Sequence, residues 1–200
     1  MSDTAVTPTT TAPATTTTGP AAVELPEFIY HVCESARWVE CLSKSYYYPT
    51  TLETEGFIHC STEDQVMTVL KNYYSVTDPE TSTVLRDKTT GETTLLLLRI
   101  ATAFPGFAKP AQSYKEFHAT ATPEMVADAG CVLIMEPPMH PKVTAEGQEA
   151  AEGIAFVEGA PLFPHAYGCI PVCSVDDAVK IFVDPAAGYT YGATPYTFTE

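Results

Sequence analysis

Three of the five histidines in this 200-residue chain lie within short apolar runs that are typical of strands. They are His31, His59 and His165, and the last belongs to the segment Phe163-Pro-His-Ala-Tyr-Gly168. Histidine has an unperturbed pKa of about 6.5, so histidines that converge on one cleft are able to bind a polar ligand, transfer protons or hold a metal. We therefore predict that these three imidazoles meet around one cavity.

Two other interpretations of the three histidines stay open. A single histidine on an apolar strand is more often a core residue with satisfied hydrogen bonds than a catalyst, although burying three of them demands three sets of partners. A zinc site with an open coordination position is the third interpretation, and it requires ring nitrogens at about 2.0–2.1 Å from a common point. Only the relative placement of the three rings separates these readings.

Composition limits the partners of the chain. Its 45% hydrophobic and 18% charged residues suffice for one substantial core. The formal net charge is −15, from 10 basic and 25 acidic residues. Nucleic-acid binding depends on clustered Lys and Arg that neutralise phosphates, and no such cluster is present. The composition therefore disfavours nucleic acid and leaves a small-molecule ligand as the predicted partner.

The predicted organisation is a single domain with two tails. Residues 1–24 are rich in Thr, Ala and Pro and predict a disordered tail. One α+β domain is expected over residues 25–185, with an insertion around residues 101–153, and residues 186–200 are expected to form a C-terminal tail. We find no signal peptide and no apolar run of about 18 residues, which predicts a soluble, cytoplasmic protein without a membrane segment. The six cysteines form no C-x-x-C pair, which favours reduced, buried thiols.

Short strands and helices follow one another without regular alternation. Apolar patterns predict strands at residues 27–32, 56–60, 94–100, 131–136, 154–158, 163–168 and 179–184. Helices are predicted from Ser35 to the Tyr46-Tyr-Tyr48 cluster, after the capping box Thr62-x-x-Gln65, and from Thr122-Pro-Glu to Gly130. Glycine-rich phosphate loops are absent, so an α+β fold is favoured over a doubly wound one.

Three blocks of sequence carry a resemblance to a known family. They are Tyr30-His31 ahead of Trp38, Glu55-Gly-Phe-Ile-His-Cys-Ser-Thr62, and the Phe163–Gly168 segment. Over about residues 27–185 the chain resembles the bacterial and fungal family called domain of unknown function 952, whose own activity is not established. The resemblance implies an ADP-ribosyltransferase-like fold, which is a split, strongly bent mixed sheet with short helices. It also implies an enzyme that acts on NAD or another ADP-ribosyl compound, or alternatively a non-catalytic module that binds such a compound.

The same resemblance implies roles for individual residues. In ADP-ribosyltransferases of the His-Tyr-Glu type, a histidine on the first strand orients the dinucleotide through its ribose, and His31 occupies the matching place. The other expected ligand-binding residues are Ser61, Thr62, His165 and Tyr167. Where a tyrosine would stack on nicotinamide, this chain has the stretch from His59 to Thr62 instead.

A glutamate on a later strand is expected to stabilise the oxocarbenium-like sugar as nicotinamide leaves. Glu136 and Glu158 are the two candidates for this catalytic role. His59 is the third expected catalytic residue, and its expected role is to polarise the substrate. We prefer Glu136 because an acidic residue at the end of a strongly apolar strand is the more unusual placement. His118 and His140 lie in the insertion, which the sequence marks as rich in loops, and they receive no predicted role.

Overall fold

The computed structural model describes residues 23–73, 95–143, 149–157, 159–184 and 188–195. The strands are β1 Phe28–Glu34, β2 Tyr46–Tyr47, β3 Ile58–His59, β4 Leu95–Ala101, β5 Cys131–Glu136, β6 Met139–Val143, β7 Glu149–Phe156, β8 Phe163–Gly168, β9 Ile170–Pro171, β10 Val175–Asp184 and β11 Gly188–Pro195. The helices are α1 Ser35–Leu42, α2 Thr50–Glu55, α3 Val66–Tyr73, α4 Tyr114–Thr120 and α5 Pro123–Ala129. Residues 1–22 and Glu158 lie outside the described residues.

Two antiparallel sheets form the framework. The larger has the strand order β1-β4-β10-β11, and the smaller has the order β3-β8-β5. Residues from both sheets share one buried core, which contains Ile29 of β1, Leu96 and Leu98 of β4, and Leu133 of β5. The α+β class predicted from the sequence is confirmed, whereas the ADP-ribosyltransferase-like arrangement stays a prediction.

Strand β4 is the central strand that its continuous apolar sequence predicts. It pairs with β1 on one side and with β10 on the other. Five of its seven residues are buried, because a strand with neighbours on both edges and cover on both faces has no solvated side. The predicted capping box is also confirmed, and the backbone N–H of Thr62 donates to the side-chain oxygen of Gln65 at 3.0 Å.

The helix predicted from Ser35 through the tyrosine cluster is wrong at its C-terminal end. Helix α1 stops at Leu42, and Ser45 follows with a positive φ of 65° that breaks the helical path. Strand β2 then pairs with β9, and the Tyr47 side chain is buried at 1% exposure. Burial of a large aromatic side chain against a partner strand overrides the local helical spacing.

The C-terminal part of the fold contains more strand than the sequence predicts. Strand β10 begins at Val175 rather than at residue 179, and a register shift near Asp177 accommodates its polar start. The segment expected to be a tail contributes β11, which pairs antiparallel with β10. Strands β6 and β7 pair where the insertion was expected, and β7 continues past the predicted end of that insertion at residue 153 to Phe156. None of the helices described for this chain is long and apolar enough to cross a bilayer.

Candidate functional site

The smaller sheet places the candidate side chains on three neighbouring strands. On β8, His165 and Tyr167 are two residues apart and therefore project from the same face. The pairing register sets His165 opposite His59 of β3 and opposite Ile134 of β5. Glu136 lies two residues beyond Ile134, diagonally from His165 on the same face. The pleat of the sheet therefore brings these polar groups together.

Glu136 is fully buried and is the centre of the polar cluster. Its Oε1 accepts hydrogen bonds from Nδ1 of His165 and from the Tyr167 hydroxyl, both at 2.6 Å. Its Oε2 accepts from Nε2 of His118, also at 2.6 Å. Nε2 of His118 lies 3.1 Å from the Tyr167 hydroxyl as well. A buried carboxylate is tolerated only when such donors replace its lost hydration.

The contact with Glu136 fixes the state of the His165 ring. Because a carboxylate only accepts hydrogen bonds, Nδ1 of His165 carries the hydrogen and Nε2 keeps its lone pair. No group in the described residues forms a hydrogen bond with that Nε2 atom. Burial lowers the pKa of His165, although the neighbouring Glu136 carboxylate opposes the effect. The ring is therefore a neutral, oriented base.

The donors around Glu136 decide its charge. Burial alone would raise the pKa of the carboxyl group, but the hydrogen bonds from His118 and His165, with the further one from Tyr167, outweigh it. The net effect lowers the pKa of Glu136 from 4.5 to about 2. Burial, reinforced by the Glu136 charge, raises the pKa of the Tyr167 hydroxyl, which stays protonated as a donor. The site thus contains an ionised carboxylate at neutral pH.

His59 is the solvent-facing member of the site. Its ring lies edge-on to the ring of His165, with the centroids 5.2 Å apart, and 54% of the side chain is exposed. Its Nε2 lies 2.7 Å from a carboxylate oxygen of Glu55. The Phe57 ring packs against His59 at 4.7 Å and against His165 at 4.5 Å. The exposed His59 ring therefore stands beside the buried His165 ring, and each has its own carboxylate partner.

The His31 ring does not join the other two imidazoles. Its Nδ1 donates to the backbone carbonyl of His59 at 2.6 Å, and its Nε2 lies 2.9 Å from the Tyr47 hydroxyl, which donates to it. Burial lowers the pKa of His31 to about 4, so the ring is neutral. Both ring nitrogens are engaged inside the protein. His31 therefore links β1 to β3 and β2. The prediction that three imidazoles meet is wrong for His31, and only the rings of His59 and His165 lie together.

The remaining predicted residues occupy different positions. Ser61 is buried and exchanges two backbone hydrogen bonds with Tyr30, each 2.8 Å long. Thr62 lies at the N-terminus of the turn that leads into α3, where its hydroxyl bonds Asp64. Glu158 lies outside the described residues. Within the part of the chain that the structure describes, no cluster of three or more His, Cys, Asp or Glu could hold a metal ion.

His118 is the site residue that the sequence analysis missed. It lies on α4, whose N-cap Ser113 forms a capping box with Glu116. The sequence did contain a signal for this helix. A capping box ahead of an apolar residue marks a helix start, and Ser113 with Glu116, followed by Phe117, fits that pattern. The region instead looked like loop because the helix has only seven residues.

The charge states predict a specific loss of stability in acid. A glutamate whose folded pKa is lowered stabilises the fold above pH 4.5, and this contribution is lost as the pH falls towards about 2. The buried, neutral His31 adds a loss between pH 6.5 and about 4, because its ring binds a proton more readily in the unfolded chain. We expect urea unfolding to show a falling free energy from pH 7 to pH 3, with a Glu136 contribution on the order of 2 kcal/mol over this range. A free energy that stays constant over this range would contradict the assignment.

Comparison with solved structures finds two that are similar to the chain. Two crystal structures of protein CC0527 from Caulobacter crescentus, one of them a double mutant, are similar to the chain at 14% identity and a TM-score of 0.44. Each match covers 82% of this chain and 93% of that one. No protein with a curated description matches the chain.

The matching family model covers the segment that contains His59 and its neighbours. This segment includes the Glu55–Thr62 block, which is one of the three blocks that carried the resemblance. The match supports the resemblance predicted from the sequence and carries no activity with it. Over residues 32–103, the chain matches the family described as "Protein of unknown function (DUF952)".

Proposed function

We propose that this protein is an enzyme that performs general acid–base chemistry on a small polar molecule. In this proposal His165 is the general base, Glu136 is the residue that positions it, and His59 is the solvent-facing acid. His118 and Tyr167 hold the carboxylate in place. Proton transfer by a positioned histidine typically contributes a factor of about 10²–10⁴ to a reaction rate.

One observation carries the proposal, namely the 2.6 Å hydrogen bond between Glu136 and Nδ1 of His165. A buried carboxylate on one ring nitrogen selects the tautomer that leaves the other nitrogen free to accept a proton. It also stabilises the imidazolium that forms when the proton arrives. The neighbouring ring of His59 reaches solvent and lies close enough to serve the same reaction.

NAD is the first substrate to test, because the resemblance to the family implies it. In hydrolysis of NAD, a bond forms between a water oxygen and the ribose carbon, and the bond to nicotinamide breaks with its electron pair leaving on nicotinamide. His165 would accept the proton that the water loses. The ribose-orienting role expected for His31 receives no support from its contacts, because both of its ring nitrogens are already hydrogen-bonded.

A non-catalytic binding module is the second candidate. The complete burial of Glu136 favours it, because both carboxylate oxygens already accept hydrogen bonds from protein groups. In that case His59 and its aromatic neighbour Phe57 would contact the ligand, and the buried cluster would only support them. Turnover distinguishes the two candidates.

The test incubates the protein with NAD and measures the release of free nicotinamide by chromatography. We expect the wild-type chain to release nicotinamide and the His165→Gln variant to be slower by about 10²–10⁴-fold. Lys71→Gln, on an exposed position of α3, is the matched control and should keep the wild-type rate.

Two outcomes decide against the enzyme. Equal rates for wild type and His165→Gln would contradict the role of His165 as a base. Absence of nicotinamide release, combined with saturable NAD binding in calorimetry that a His59→Gln variant weakens, would favour the binding module instead.

A further inference from the structure

A cavity of about 340 Å³ lies beside the outer edge of β5, away from its partner strand β8. Its walls include Leu133, Ile134 and Met135 of β5, together with Pro110 and the aromatic ring of Tyr114. The volume falls at the lower end of the range of about 300–1,000 Å³ that small-molecule sites occupy. The acid–base cluster does not use these residues.

The outer edge of β5 is paired over part of its length only. Ala108 forms a parallel bridge there, donating to the Cys131 carbonyl at 2.8 Å and accepting from the Leu133 N–H at 2.9 Å. Backbone groups of residues two apart on a strand point to the same side. The carbonyl of Leu133 and the N–H of Met135 therefore also point away from β8, where the next pair of hydrogen bonds after Ala108 would form.

Proline ends this ladder. The residue that would donate next to the Leu133 carbonyl is Pro110, which has no N–H. Among the described residues, no backbone or side-chain group forms a hydrogen bond with the Leu133 carbonyl or the Met135 N–H on this side. The wall of the cavity thus presents one acceptor and one donor, side by side and in the plane of the sheet.

We propose that this cavity binds the purine base of a nucleoside. Adenine has an amino donor beside a ring-nitrogen acceptor, and this pair complements a strand carbonyl and the N–H two residues further on. The Tyr114 ring, which packs against Phe156 at 4.7 Å, supplies an aromatic surface for the planar base. Glu24 and Lys109 contribute opposite charges to the lining, so the cavity has no excess positive charge to attract a phosphate. The inference is independent of the acid–base role of His165.

Calorimetry with adenosine and the full chain tests the proposal. We expect saturable binding at one site, weakened about tenfold or more in the Met135→Pro variant because the edge N–H is lost. Proline is tolerated at this point, since the N–H it removes faces away from β8. Met135→Leu keeps the N–H and should bind as the wild type does.

A ligand variant makes the test independent of protein folding. N6,N6-dimethyladenosine lacks the amino donor, so it should bind the wild-type chain about tenfold more weakly or worse. Absence of saturable adenosine binding would overturn the proposal. Equal affinity for adenosine and its dimethyl derivative, or an undiminished affinity in a folded Met135→Pro variant, would overturn it too.

Discussion

Replacement of Glu136 by glutamine is expected to lower the free energy of unfolding by about 3 kcal/mol at pH 7. The amide has nearly the same shape as the carboxylate, but one of its two ends donates hydrogen bonds instead of accepting them. His118, His165 and Tyr167 all direct donors at this side chain, so at least one of them loses its acceptor inside the protein. Chemical denaturation followed by tryptophan fluorescence measures the change.

The matched control for this substitution is Glu55→Gln. Glu55 also contacts a histidine, His59, at 2.7 Å, but its side chain is 44% exposed. An exposed contact of this kind between a carboxylate and a histidine contributes less than about 1 kcal/mol, because water replaces the lost partner. Similar losses in the two variants would contradict the account of Glu136 as a buried ionised acceptor.

Substitution of Gly168 by alanine is expected to lower the free energy of unfolding by about 3 kcal/mol or more. Gly168 closes β8 with a positive φ of 113°, a conformation that residues with a side chain rarely adopt. A Cβ atom at this position would lie 2.2 Å from the backbone carbonyl oxygen of Gly130. Because Gly130 leads into β5, relief of the clash would move β5 away from β8 and disturb the contact between Glu136 and His165. Thermal unfolding gives the size of the effect.

Gly56→Ala separates the clash from the conformational strain. Gly56 has a φ of 83° at the C-terminus of α2, and a Cβ there would meet no atom within 4 Å. The Gly56→Ala control should lower the free energy of unfolding by about 1 kcal/mol, which is the strain of the left-handed conformation alone. If Gly168→Ala is no more destabilising than Gly56→Ala, the close approach to Gly130 has no energetic importance.

Local patterns predict much of the framework around the site. The continuous apolar run of β4, the apolar strand ending at Glu136 and the capping box at Thr62 all appear in the structure as expected. Each of these features depends on neighbours in the sequence and on burial along one strand. The same patterns predict strands at His59 and at His165, whereas the adjacency of the two rings comes from the pairing of β3 with β8.

The interior contacts of the site depend on information that is not local. His118 comes from a short helix, and only the packing of α4 against β5 sets its ring beside Glu136. The engagement of both nitrogens of His31 requires the Tyr47 hydroxyl, which is available only because β2 replaces the end of the predicted helix. Residue spacing in the sequence does not predict contacts between side chains that are far apart along the chain.

The tautomer of His165 tests the central claim most directly. Nitrogen-15 NMR of the histidine rings distinguishes a protonated Nδ1 from a protonated Nε2. At pH 7 we expect His165 to be neutral with its hydrogen on Nδ1, and we expect the signal of that hydrogen to change in Glu136→Gln. A His165 ring that carries its hydrogen on Nε2 would contradict both the contact with Glu136 and the role of His165 as a base.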